Sequence, residues 1–124
     1  MKHLLLVTGL AALALMTPTA AVAGPEARIG RTATVDGLRV RPLALVEDSR
    51  CPMNARCVWA GRVVVRVAVS GRGRTVTRLL TLGEAMDHAG GKLSLVAAEP
   101  NRMAGAPQAP ARRYRFTFSY DRRR

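Results

Sequence analysis

Arg62-Val63-Val64-Val65-Arg66-Val67-Ala68-Val69-Ser70-Gly71-Arg72-Gly73-Arg74-Thr75-Val76-Thr77-Arg78-Leu79-Leu80-Thr81-Leu82 is the stretch that decides the fold class. Val63, Val65, Val67 and Val69 share one parity while Arg62 and Arg66 take the other, the period of two that a strand with one buried face imposes. Val64 and Ala68 dilute the alternation, and the run, read as starting near Val58, is the longest and most central strand. Ser70 to Arg74 forms a turn. Thr75 to Leu82 then returns with Val76, Leu80 and Leu82 on one face and Thr75, Thr77 and Thr81 on the other.

Toward the N-terminus, Thr32 to Val35 and a strand from Leu38 flank Asp36-Gly37, a two-residue turn whose residues tolerate positive φ. Leu38 and Val40 alternate with Arg39 and Arg41, but beyond Pro42 the apolar set shifts to Leu43 and Leu45. A bulge or an edge position at Pro42 explains the change of phase, since proline has no N–H for a central ladder. Toward the C-terminus, Leu93, Leu95 and Ala97 make a fifth strand. Glu99 to Ala111 holds three of the seven prolines and reads as a long surface loop, more mobile than the rest. Last, Arg113 to Tyr120 sets Tyr114, Phe116, Phe118 and Tyr120 against Arg113, Arg115, Thr117 and Ser119. No capped 3.6-residue pattern and no internal repeat is visible. About six strands at this spacing predict an all-β domain over residues 24–124, a small antiparallel β-barrel or β-sandwich.

Residues 1–23 read as a cleaved signal peptide: a basic start at Met1-Lys2-His3, an apolar run from Leu4 to Met16, a Thr17-Pro18-Thr19 breaker and a small-x-small site at Ala21-Val22-Ala23. The run is shorter than the ~20 residues that span a bilayer, so no transmembrane segment is expected in the mature chain. No cysteine follows the site, which excludes lipid attachment there. The expected address is periplasmic or secreted. The 124 residues carry 20 Lys+Arg against 8 Asp+Glu, a formal net charge of +12, with 48% apolar residues and a mean hydropathy of +0.05. A core can form, and composition does not favour disorder. One small domain leaves no room for a cofactor domain beside a substrate domain, and no cofactor is assigned.

The distinctive segment is Asp48-Ser49-Arg50-Cys51-Pro52-Met53-Asn54-Ala55-Arg56-Cys57-Val58-Trp59-Ala60-Gly61. Its two cysteines, six positions apart, are expected to pair outside the cytoplasm, stabilising the loop by about 2 kcal/mol. The segment resembles the signature of small, uncharacterised exported bacterial proteins in which Ser-Arg-Cys-Pro is followed by Cys-x-Trp-Ala-Gly leading into a strand. Gly91 to Pro100 and the strand from Tyr114 are similar to later features of the same group. The resemblance implies a predominantly β exported domain and brings no assigned activity. Many members of that group carry lipoprotein leaders, from which this chain departs.

Two readings of Trp59 follow. Its phase with Val63 and Val65 predicts that it caps one end of the core, in which case Trp59→Ala costs roughly 3 to 5 kcal/mol. The other is an exposed recognition loop carrying Arg50, Met53, Asn54, Arg56 and Trp59. A cationic face is expected from Arg39, Arg41, Arg62, Arg66, Arg113 and Arg115, each opposite an apolar set and turned to solvent, since burying unpaired guanidinium groups costs several kcal/mol each. Eighteen of the twenty basic residues are arginine, a bias that genomic base composition also produces. An anionic component of the cell envelope, such as lipopolysaccharide phosphates, or an envelope protein is the expected partner, and nucleic acid is out of reach of an exported chain. The leading reading is a non-enzymatic envelope-associated binding or structural module. The alternatives are a copper-handling protein using Met86 and His88, and a thiol enzyme using Cys51 or Cys57 with His88 as base.

Overall fold

Alternating valines bury one face of a strand only when a second sheet covers it. A computed structural model of the chain, describing residues 9, 11–15 and 24–122, supplies that sheet. The leader expected at residues 1–23 lies outside the described residues except for 9 and 11–15, and Arg123 and Arg124 also lie outside them. The strands are β1 (Glu26–Ala27), β2 (Ala33–Val35), β3 (Leu38–Asp48), β4 (Val63–Gly71), β5 (Arg74–Thr81), β6 (Ala85–His88), β7 (Gly91–Glu99) and β8 (Arg115–Arg122). They form two four-stranded antiparallel sheets, ordered β2-β3-β4-β5 and β1-β8-β7-β6, so the all-β fold is sandwich-like rather than a closed barrel. A 3-10 turn, Ala111–Arg113, precedes β8.

Val63, Val65, Val67 and Val69 of β4 are completely buried and meet Leu93, Leu95, Phe116 and Phe118 of the opposite sheet in one core. The chain changes sheet between two residues: Leu82 N donates to Val63 O (2.9 Å) and Gly83 N to Leu95 O (3.0 Å). Two strands exceed the six expected. They are β1 and β6, two and four residues long, too short to show a period; β6 occupies a stretch, Glu84 to Gly91, whose polar and glycine content reads as loop.

Register shifts correct the expected faces. In β3 they fall between Pro42 and Ala44 and between Leu45 and Glu47, leaving Pro42, Leu45 and Asp48 opposite the buried Val67, Val65 and Val63. The phase therefore changes by a bulge at the proline, and Leu43, expected beside Leu45, turns outward. Pro42 O accepts from Gly30 N at 2.8 Å, so its nitrogen faces the flank beyond the end of β2, where no ladder bond is needed. A shift between Leu95 and Ala97 in β7 likewise gives the inner position to Ala98 instead of Ala97. Thr117, expected on the outer face, is buried because the N-terminal segment lies over it: Glu26 pairs with Thr117 and Pro25 O accepts from Phe118 N at 3.0 Å.

The largest correction concerns the start of the central strand. It begins at Val63, not near Val58, because Gly61 adopts φ +70° and a Cβ there would lie 1.8 Å from Ser49 O. That turn breaks the alternation, so the phase that placed Trp59 beside Val63 does not carry through it, and Trp59 is 67% exposed.

Candidate functional site

The bridged loop between β3 and β4 is built from its root. The two bulges of β3 deliver Asp48 to the inner face, where its side chain is fully buried. Arg50 Nε donates to Asp48 Oδ1 at 2.9 Å and Nη2 to Oδ2 at 2.8 Å, a bidentate pair. The Tyr114 hydroxyl donates to Oδ2 at 2.5 Å. Burial pushes the Asp48 carboxyl up, but the Arg50 and Tyr114 bonds outweigh it and hold the group below its ordinary value. The same partnership raises Arg50, through the Asp48 hydrogen bond first, while burial and then the Asp48 bond push the Tyr114 hydroxyl up. The remaining Arg50 donors reach across to the other sheet, Nη1 to Ala98 O (2.9 Å) and Nη2 to Pro100 O (2.8 Å).

Above this root, Ser49 N donates to Arg62 O (2.9 Å) and Cys51 N to Ala60 O (3.1 Å), and the Cys51–Cys57 disulfide closes the loop. The segment after β7 is fastened alongside. Met53 N donates to Arg102 O (2.8 Å), Ala104 N to Asn54 Oδ1 (2.7 Å), Asn54 Nδ2 to Ala104 O (3.3 Å), and Arg102 Nη1 to Arg50 O (3.1 Å). The 100–110 loop, expected to be a mobile surface connection, is thus tied to the bridged loop at several points.

Of the five residues read as a binding loop, Arg50 is turned inward on Asp48, Asn54 is exposed but spends its side-chain amide on the Ala104 backbone, and Met53, Arg56 and Trp59 are exposed. The structure adds two apolar side chains that sequence reasoning missed. Val58 is fully exposed and Met103 is 49% exposed on the clamped neighbouring loop. Val58 was missed because it was counted into the valine strand; the signal that could have found it is Gly61, whose φ ends that strand early. Met53, Val58 and Trp59 of the bridged loop and Met103 of the loop fastened to it are the exposed apolar side chains of this braced end of the molecule, its apolar tip.

The six arginines of the expected cationic face are all exposed, but they do not share one surface. Arg39 and Arg41 of β3 and Arg66 of β4 point outward from the same sheet and have no ion-pair partner among the described residues. Arg62 pairs with Glu47. Arg113 lies in the 3-10 turn instead of on a strand, and Arg115 of the other sheet pairs with Glu99 (2.9 Å) and Glu26 (4.0 Å). Met86 packs against the core and His88, one strand period along, stands half-buried near Arg78; burial and then that guanidinium hold the imidazole below its ordinary value. Among the described residues no group of three His, Cys, Asp or Glu is placed to share a metal ion, and both cysteines are in the disulfide.

Compared with protein-family models, with curated proteins and with solved structures, the chain finds no match in any of the three.

Proposed function

We propose that the mature domain is a non-enzymatic binding module of the bacterial cell envelope, exported by its leader, whose contact surface is the apolar tip of the bridged loop. The observation that carries this reading is the exposure of Val58 and Trp59 on a loop braced from below by the disulfide, Gly61 and the Asp48–Arg50–Tyr114 cluster. A tryptophan left in water forgoes the burial that dominates core and interface energetics, and a loop already ordered loses little entropy on binding. Exposed apolar groups with Arg56 on the same loop and Arg66 on the outer face of β4 suit an amphiphilic anion: the tip takes apolar surface, while the arginines take phosphate or carboxylate. Lipopolysaccharide or a comparable anionic envelope component is therefore the proposed partner.

The test is retention of the purified protein on periplasmic and outer-membrane fractions at two salt concentrations, comparing wild type with Val58→Ser and Trp59→Ala. Retention is expected to fall in both variants at unchanged melting temperature, and in wild type at the higher salt. Retention that is equal in wild type and both variants would overturn the assignment of the tip.

A further inference from the structure

The opposite end of β4 carries a second cationic feature, about 25 Å from the apolar tip at a strand rise of ~3.3 Å per residue. Three hairpins end there in two-residue turns with both residues at positive φ: Asp36-Gly37 (45°, 86°), Arg72-Gly73 (49°, 75°) and Ala89-Gly90 (47°, 80°). The first turn position favours Asn, Asp or Gly, and a left-handed conformation costs other L residues about 1 to 2 kcal/mol. Arg72 is nevertheless held in it. The Arg72 and Ala89 turns flank a cleft of about 340 Å³ between the edge strands β5 and β6, the open side of the sandwich. Its polar lining is Arg72, Arg74, Arg78, Asp87 and His88, with the half-buried Val76 among them.

We propose that this cleft is a binding site for a phosphate group, seated between the Arg72, Arg74 and Arg78 guanidinium groups. The Arg72 and Arg74 guanidinium groups have no hydrogen-bond or ion-pair partner among the described residues, and that of Arg78 reaches only the carbonyl of Thr77, at 3.3 Å. Guanidinium forks match the geometry of phosphate oxygens. The one carboxylate on the wall, Asp87, is paired with Lys92 of β7 at 2.6 Å, which offsets its repulsion of an anion. The far wall is held in place by Tyr120 of β8, whose hydroxyl lies within donor range of both His88 O (2.8 Å) and Ala89 O (3.0 Å). An anion there would stand beside His88 and reverse the influence of Arg78 on the imidazole, which makes His88 a reporter built into the site.

The experiment is an NMR titration of the exported protein with inorganic phosphate and, separately, glycerol 3-phosphate, against sodium chloride at matched ionic strength. The imidazole signals of His88 are identified by their loss in His88→Gln. Saturable shifts with either phosphate, an upward move of the His88 titration midpoint, and a drop in affinity of about ten-fold or more in Arg72→Gln/Arg74→Gln are expected. The tighter of the two ligands tells free phosphate from a phosphomonoester headgroup. Shifts that follow ionic strength alone, or a double variant that binds as wild type does, would overturn the proposal. Neither variant touches the apolar tip, so loss of phosphate binding and loss of envelope retention are separable results.

Discussion

Gly61 and Trp59 of the bridged loop and Asp48 at its root show how differently nearby side chains are used. Gly61 is required by its surroundings, since a Cβ would meet the Ser49 carbonyl and the backbone is left-handed, so Gly61→Ala should destabilise by at least about 2 kcal/mol in denaturant unfolding. Trp59, two positions earlier, is exposed, and Trp59→Ala should change stability by no more than about 0.5 kcal/mol. That contrast with the 3 to 5 kcal/mol expected of a core tryptophan is a direct check on the loop. Asp48 has a pH signature. Its carboxyl is held below the ordinary value, so the stability it contributes is fully present above about pH 4 and is lost as the pH falls through the lowered value of the folded chain. Asp48→Asn should be less stable than wild type at neutral pH, and the gap in melting temperature should narrow between about pH 5 and pH 2. A gap that stays constant over that window would show that the carboxylate charge does not matter there.

At the scale of elements, the bridged loop and the 100–110 loop behave as one unit because Arg50, Asn54 and Arg102 cross between them. The disulfide closes only a short segment, and opening it should cost about 2 kcal/mol. For a domain of this size that corresponds to a fall in melting temperature of roughly 10 °C, measured with and without reductant. The sheets are expected to survive, since no core residue of β4 depends on the bridge, whereas the tip should lose its fixed shape and with it envelope retention. The Arg50 clamp is a larger contributor. Arg50→Met leaves Asp48 buried without its cation and should cost about 3 kcal/mol or more, while the double variant with Asp48→Asn should recover part of the loss in a double-mutant cycle.

Over the whole molecule, charge is distributed unevenly between paired and unpaired arginines. Arg62, Arg115 and Arg122 are engaged by Glu47, Glu99 and Asp36, so their substitution should affect local packing as much as any external anion. Arg39, Arg41 and Arg66 are the better probes of the outer sheet face. Replacing all three with Gln should leave the melting temperature nearly unchanged, weaken retention on lipopolysaccharide and make its salt dependence shallower. Unaltered retention across a salt series would mean that the arginine content reflects composition and does not steer binding.

What the sequence determined by itself is what depends on local parity and on short turns. The valine run of β4, the aromatic face of β8 and the Asp36-Gly37 hairpin are each visible from residues next to one another, because side chains alternate with a period of two and few residues tolerate positive φ. The cysteine pair is legible for a similar reason, being six positions apart. Only the tertiary structure decided the rest. Whether β4 faces a second sheet or closes a barrel depends on how strands far apart in sequence pair, and nothing in a strand's own alternation records its neighbour. The bulges that turn Asp48 inward and Ala98 into the core are registers between strands, invisible in either strand alone. Asp48, Arg50 and Tyr114 meet across 66 positions of sequence, which no spacing rule links. Trp59 stands exposed because one glycine, held against the Ser49 carbonyl by that same long-range fit, ends the alternation two residues later.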